Sequence, residues 1–144
     1  MSYAQWVTIT IIPKGGVTLT IKNVGLKWGK FHEKGNKDAE IGIDRIENMT
    51  IKPKYKGVIC SCGRSDSASG TEGSFDIYDG DIHIGNYYWE CPWGSKNNIS
   101  NWRASDAEVY MTEVSGADFY SGALGNITIK CRKDDEDSRE LEEV

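Results

Sequence analysis

Trp6-Val7-Thr8-Ile9-Thr10-Ile11-Ile12-Pro13-Lys14-Gly15-Gly16-Val17-Thr18-Leu19-Thr20-Ile21-Lys22 alternates apolar and polar side chains on both sides of a short turn. Val7, Ile9 and Ile11 fall on one face of an extended chain, and Trp6, Thr8 and Thr10 on the other. Beyond Gly16 the pattern returns with Val17, Leu19 and Ile21 against Thr18, Thr20 and Lys22. Side chains two apart share a face of a strand, so these are two half-buried strands, and the turn between them predicts a hairpin. Similar runs recur at residues 25–31, 39–43, 50–51, 57–62, 73–78, 81–84, 86–90, 107–113 and 125–131. No window keeps a helical period for three turns. Sixteen glycines and many Asn, Asp and Ser clusters separate the runs. Many short strands with frequent turns predict an all-β chain, one domain built as a β-sandwich of two antiparallel sheets over residues 1–131. The polar stretch 65–73 between two runs reads as a loop.

A chain of 144 residues is long enough to bury a core without metal or disulfide staples. Its net charge of −5 is concentrated at one end. Residues 132–144 carry seven acids against three bases, which leaves 14 basic and 15 acidic side chains in the body. That tail, with only Leu141 and Val144 to bury, is expected to be a solvated end. A near-neutral body with three arginines lacks the basic stripe of a nucleic-acid binder, so nucleic acid is not an expected partner. No segment approaches the roughly 18 apolar residues of a spanning helix, so a membrane would be met at its surface. The start has no basic region followed by an apolar run, so any secretion or release is expected to proceed without a classical signal peptide.

Catalytic and metal chemistry find no pattern. Cys60, Cys62, Cys91 and Cys131 have no paired zinc-ligand spacing; buried free thiols are expected, with Cys62 and Cys91 the first pair to test for a disulfide in an exported chain. His32 beside Glu33 and His83 near Asp81 read as solvated turn and strand residues, and no serine has the glycine pattern of a nucleophile elbow. Asp76, Asp79 and Asp81 sit around an Asp-Gly turn of the kind hairpins use freely, rather than in a calcium loop. No enzyme activity and no cofactor are expected.

Tyr87-Tyr88-Trp89-Glu90-Cys91-Pro92-Trp93-Gly94-Ser95-Lys96 places four aromatic side chains in ten residues. Alternation separates Tyr88 from Tyr87 and Trp89, and Pro92, which cannot donate to a ladder, should end the strand near Cys91. Trp93 then lies at a loop tip beside Lys96, an arrangement suited to a lipid headgroup boundary. The residues alone are equally compatible with a core-filling aromatic strand.

Several strings together give this segment a context. Tyr3-Ala4-Gln5-Trp6-Val7, Trp28-Gly29-Lys30, Lys37-Asp38-Ala39-Glu40, Cys62-Gly63-Arg64-Ser65-Asp66, Gly73-Ser74-Phe75-Asp76, Tyr88 to Lys96, and Ser121-Gly122-Ala123-Leu124-Gly125 resemble, in order and spacing, the aegerolysins. The resemblance runs from about Tyr3 to Lys130. It implies an actinoporin-like β-sandwich that recognises membrane sphingolipids, either sphingomyelin with cholesterol or ceramide phosphoethanolamine. It also implies a cytolysin component that recruits a larger protein of the membrane-attack-complex/perforin class, and oligomers of the chain on the membrane. The alternative function is a carbohydrate-binding sandwich in which Trp93 and Tyr88 stack on sugar rings.

The resemblance assigns lipid contact to Trp6, Trp28, Tyr88, Trp93 and Lys96, whereas Trp89, on the strand before Pro92, is expected in the core. Indole faces can hold an ammonium by cation–π attraction, and a lysine can offer a charge-assisted bond to phosphate. At one position the chain departs from the pattern. Where sphingomyelin/cholesterol-binding members carry a glutamate after the Arg-Ser-Asp string, this chain has Ser69, with Glu72 the nearest acid. Ser69 can accept a hydrogen bond from a primary ammonium, whereas a trimethylated one has none to donate, which favours the ethanolamine headgroup.

Overall fold

The computed structural model describes residues 2–105 and 109–133. Eleven strands follow one another: β1 (Trp6–Lys14), β2 (Leu19–Trp28), β3 (Lys30–Glu33), β4 (Asn36–Ile41), β5 (Thr50–Ile51), β6 (Gly57–Cys62), β7 (Thr71–Asp79), β8 (Ile82–Cys91), β9 (Ile99–Ala104), β10 (Tyr110–Ser115) and β11 (Gly125–Lys133). They form two sheets, a six-stranded one in the order β10-β11-β1-β6-β3-β4 and a five-stranded one in the order β5-β2-β7-β8-β9. The sandwich expected from the alternation is present. Its pairing is antiparallel except at one place, where the first strand lies parallel to the last, Val7 opposite Gly125 and Ile11 opposite Ile129.

The predicted hairpin between β1 and β2 does not form. Both edges of β1 are already occupied, by β11 and by β6. The chain instead turns at Gly15 and Gly16, with φ of +67° and +78°, and crosses to the other sheet. The alternation was read correctly as two strands with inward Val7, Ile9, Ile11 and Val17, Leu19, Ile21, all buried. Those faces meet across the core rather than lying side by side in one sheet. In the same way the run 25–31 divides at Gly29 (φ +89°), where the chain leaves β2 and enters β3 in the six-stranded sheet. The run 107–113 lies partly outside the described residues, and β10 covers Tyr110–Ser115. β11 extends two residues past Cys131; the rest of the acidic tail, 134–144, lies outside the described residues.

The core centres on Trp89, which is fully buried with Tyr87. Its ring lies 6.1 Å from Phe31, 6.2 Å from Phe75 and 6.3 Å from Tyr87, within the range of favourable aromatic contact. A buried polar chain crosses between the sheets beside it. Trp89 Nε1–H donates to Thr71 Oγ1 at 3.1 Å, Thr71 and Ser61 share a hydroxyl contact of 2.6 Å, and Ser61 Oγ donates to the Lys30 carbonyl at 2.8 Å. Each proton has an acceptor when Thr71 donates to Ser61. Burying these groups is therefore free of the penalty that unmade hydrogen bonds carry. The chain links β8 and β7 to β6 and β3, so it fixes the spacing of the sheets beneath one end of the sandwich.

All four cysteines are free and buried. Cys91 Sγ–H donates to the Gly122 carbonyl at 3.2 Å and is not bonded to Cys62. Burial pushes the Cys91 thiol up to about 11 and that of Cys131 to about 12.

Candidate functional site

Trp28, Ser69, Trp93 and Lys96 converge on one cleft of about 200 Å³ at an end of the sandwich. Trp28 comes from the end of β2, Ser69 from the loop between β6 and β7, and Trp93 and Lys96 from the loop after β8. Pro92 ends β8 at Cys91, as its missing N–H requires, and the chain turns outward there. Trp93 is 43 % exposed and Trp28 51 %, whereas Trp89, four residues before Trp93, is sealed in the core. The segment thus divides at the proline into a buried strand and a solvent-facing loop.

Gly70 sets the closeness of the two loops. With φ of +66°, it sits where an added Cβ would lie 2.2 Å from the Cys91 carbonyl oxygen and 2.9 Å from the Trp93 nitrogen. Only glycine meets both conditions, positive φ and backbone contact. The loop is tied at its other end by Arg64, whose guanidinium donates twice to Glu40, both at 2.9 Å. Within it, Ser69 Oγ lies 2.8 Å from Ser67 Oγ.

The cleft contains a feature that sequence reasoning missed. Glu72 on β7 and Glu90 on β8 face each other directly across the ladder, and both line the cleft. Like charges in this position are unfavourable. Tyr88, on the same face of β8, bridges them through its hydroxyl, 2.6 Å from Glu72 Oε2 and 3.1 Å from Glu90 Oε2. Burial and the two carboxylates push the Tyr88 phenol far above its ordinary range, so it is a permanent donor. One phenolic proton cannot satisfy two carboxylates, and the Oε1 atoms have no hydrogen-bond partner among the described residues. The lining of the cleft therefore combines two carboxylates with the Trp28 and Trp93 side chains, and Lys96 brings one cation. The signal for Glu90 was its spacing of two from Tyr88, but the pairing with Glu72 depends on strand register.

Trp6 lies elsewhere. It lines a separate cleft of about 680 Å³ with His32, Lys34 and Lys37, and the Lys37 ammonium sits 5.4 Å from its ring centre. His32, expected to be solvated, is buried at 6 % exposure. Its Nδ1 lies 2.8 Å from the Glu33 carbonyl, and burial, aided by the charges of Lys37 and Lys30, pulls its pKa below the ordinary histidine value. His83 is not near-neighbour to Asp81 in function: it pairs with Asp76 at 3.1 Å and contacts Ser105 through Nδ1. Asp76 resists protonation despite its burial because the Asn23 and Asn86 amides donate to it and the His83 ring lies beside it. No grouping of His, Cys, Asp and Glu among the described residues is suited to hold a metal ion.

The sequence profile of the Aegerolysin family matches residues 4–134. The chain belongs to the aegerolysin family. Ostreolysin A6 of Pleurotus ostreatus is 46% identical over 137 residues, spanning 92% of this chain and 98% of that protein. Asp-hemolysin of Aspergillus fumigatus is 42% identical over 130 residues, spanning 90% and 93%. The crystal structure of IP-1A from Alcaligenes faecalis superposes with a TM-score of 0.87 at 42% identity, covering 93% of this aegerolysin and 94% of that chain. That of RahU, in complex with a TRIS molecule, gives 0.86 at 34% identity, covering 93% and 98%. As an aegerolysin, the protein is a cytolysin-like binder of membrane lipid.

Proposed function

We propose that this aegerolysin is the lipid-recognising component of a cytolysin, that it takes a sphingolipid headgroup into the Trp28–Trp93 cleft, and that it recruits a perforin-class partner which forms the pore. The single observation that carries the headgroup reading is the composition of the cleft, which two cross-strand carboxylates, two tryptophans and one lysine line together. A zwitterionic headgroup complements it: the ammonium lies between the indole faces and over Glu72 and Glu90, and the phosphate meets Lys96. The Oε1 atoms, which have no hydrogen-bond partner among the described residues, and Ser69 favour a primary ammonium, which can donate to them, over a trimethylated one. Ceramide phosphoethanolamine is the preferred ligand on this argument. The binding of a TRIS molecule, itself a primary amine, by the relative RahU is compatible with it. The partner rests on the family resemblance.

Co-sedimentation with phosphatidylcholine vesicles tests the reading, comparing vesicles that contain ceramide phosphoethanolamine, sphingomyelin with cholesterol, or neither. Retention on the first above the other two supports it; equal behaviour on all three contradicts it. A permeabilisation assay on the same vesicles, with and without a perforin-class protein, tests recruitment.

A carbohydrate reading has one observation in its favour. A third cleft of about 580 Å³ on the outer face of the five-stranded sheet is lined by Asn86, Asn98, Asn101, Arg103 and Phe119, amides and an aromatic ring of the kind sugars contact. Glycan-array binding that persists without lipid would favour it.

A further inference from the structure

Phe119 and Tyr120 are adjacent, 56 % and 80 % exposed, and stand on the connection between β10 and β11. Two neighbouring aromatic side chains left in water need a reason, because a flexible loop would fold at least one of them against the body. This loop is not free to do so. The Asn98 backbone N–H donates to the Tyr120 carbonyl at 2.8 Å, and the Asn98 side-chain amide donates to the carbonyls of Asp118 at 2.8 Å and Gly122 at 3.2 Å. The Cys91 thiol donates to that same Gly122 carbonyl, the Asp118 N–H reaches the Leu124 carbonyl at 3.0 Å, and the Tyr120 N–H reaches Asp118 Oδ1 at 2.9 Å.

Cys91 and Asn98 bracket the loop that carries Trp93 and Lys96. The two loops are therefore braced together, and the aromatic pair is held at the same end of the sandwich as the headgroup cleft. Side chains connect them as well. Phe119 and Ile99, itself 42 % exposed, share the wall of a cleft with Tyr88, whose hydroxyl holds Glu72 and Glu90.

We infer that Phe119 and Tyr120 form a second membrane-contacting element, seated in the interfacial layer of the bilayer beside a headgroup bound in the cleft. The inference rests on the headgroup reading above and extends it from one point of contact to two. A phenylalanine next to a tyrosine fits that layer, since the rings leave water while the phenol keeps its hydroxyl at the wet boundary. A single headgroup contact leaves the protein free to rotate about it. A second contact on a braced loop fixes the tilt of the sandwich, which orients any surface a pore-forming partner would meet.

The test uses the full chain and phosphatidylcholine vesicles with ceramide phosphoethanolamine, with sphingomyelin and cholesterol, or with no sphingolipid. In a Tyr120→Cys variant the new thiol is exposed while the native four are buried, so an environment-sensitive dye can be attached to it. The expected results are a blue-shifted, brighter dye on sphingolipid vesicles, and at least a tenfold loss of vesicle affinity in Phe119→Ser/Tyr120→Ser with its headgroup preference and thermal midpoint kept. Tenfold corresponds to about 1.4 kcal/mol. Unchanged dye emission on vesicles that hold the protein overturns the inference, as does wild-type affinity in the double variant. A dye shift that depends on protein concentration without lipid assigns the pair to self-association and also overturns it. A dye shift and affinity loss that are equal on vesicles without sphingolipid support the aromatic contact while refuting the headgroup reading. Absence of binding to every vesicle refutes both.

Discussion

Replacing Trp89 and Trp93 separately by alanine tests the division of the aromatic segment at Pro92. Trp89 is fully buried, touches Phe31, Phe75 and Tyr87, and donates to Thr71. Its neighbours stand on strands of both sheets, which cannot collapse into the space an indole leaves. The transfer and cavity contributions for such a change come to about 3–5 kcal/mol. Loss of the hydrogen bond adds about 1 kcal/mol, because Thr71 loses its donor but still donates to Ser61. Trp89→Ala should therefore fall at the upper end of the range and lower the thermal midpoint by roughly 10–20 °C. Trp93 is 43 % exposed on a loop, so Trp93→Ala should shift stability by less than about 1 kcal/mol and lower vesicle binding instead. Denaturation followed by circular dichroism and co-sedimentation of both variants provide the two readouts. Equal loss of stability in both, or normal vesicle binding by Trp93→Ala, would refute the reasoning.

Stability should depend on His32 between weakly acidic and neutral pH. Its folded pKa lies below the ordinary value, so as pH falls below about 6.5 the unfolded chain takes up the proton first and stability drops. His32→Gln should flatten the slope of midpoint against pH in that window, and an unaltered slope would contradict the burial argument. Thiol titration at pH 8 should find all four cysteines unreactive in the native protein and all four reactive in denaturant; two missing thiols in denaturant would reveal a disulfide instead. The Arg64–Glu40 pair has side chains nearly half exposed, so a double-mutant cycle should give a coupling of no more than about 1 kcal/mol despite its bidentate geometry.

Strand identity was legible wherever alternation was strong. Val7, Ile9, Ile11 and Val17, Leu19, Ile21 announced two strands, but nothing in their spacing told that they would sit in different sheets. Pairing depends on which edges other strands have taken, and β1 was filled by β6 and by the distant β11. β9 was missed altogether, because only Ser100 and Trp102 of Ile99–Ala104 turn inward at the sheet edge and the rest reads as loop. The cleft was legible in part, through Trp28, Ser69, Trp93 and Lys96. Its pair of carboxylates was not, since the pairing of Glu72 with Glu90 follows from the register of β7 and β8. Trp6, grouped with the others by resemblance, stands on the first strand of the opposite sheet beside Lys37. Phe119 and Tyr120 carry no pattern in the sequence that marks them, and only the bonds from Asn98 show which end of the molecule holds them.

The five tryptophan indole N–H signals of the 15N-labelled protein measure the central claim most directly, followed by nuclear magnetic resonance during titration with phosphoethanolamine. Headgroup occupancy of the cleft predicts that the signals of Trp28 and Trp93 move together along one binding curve, while those of Trp89 and Trp102 stay in place. Movement of Trp6 alone, or saturation without any change at Trp28 and Trp93, would contradict the assignment of the headgroup to this cleft.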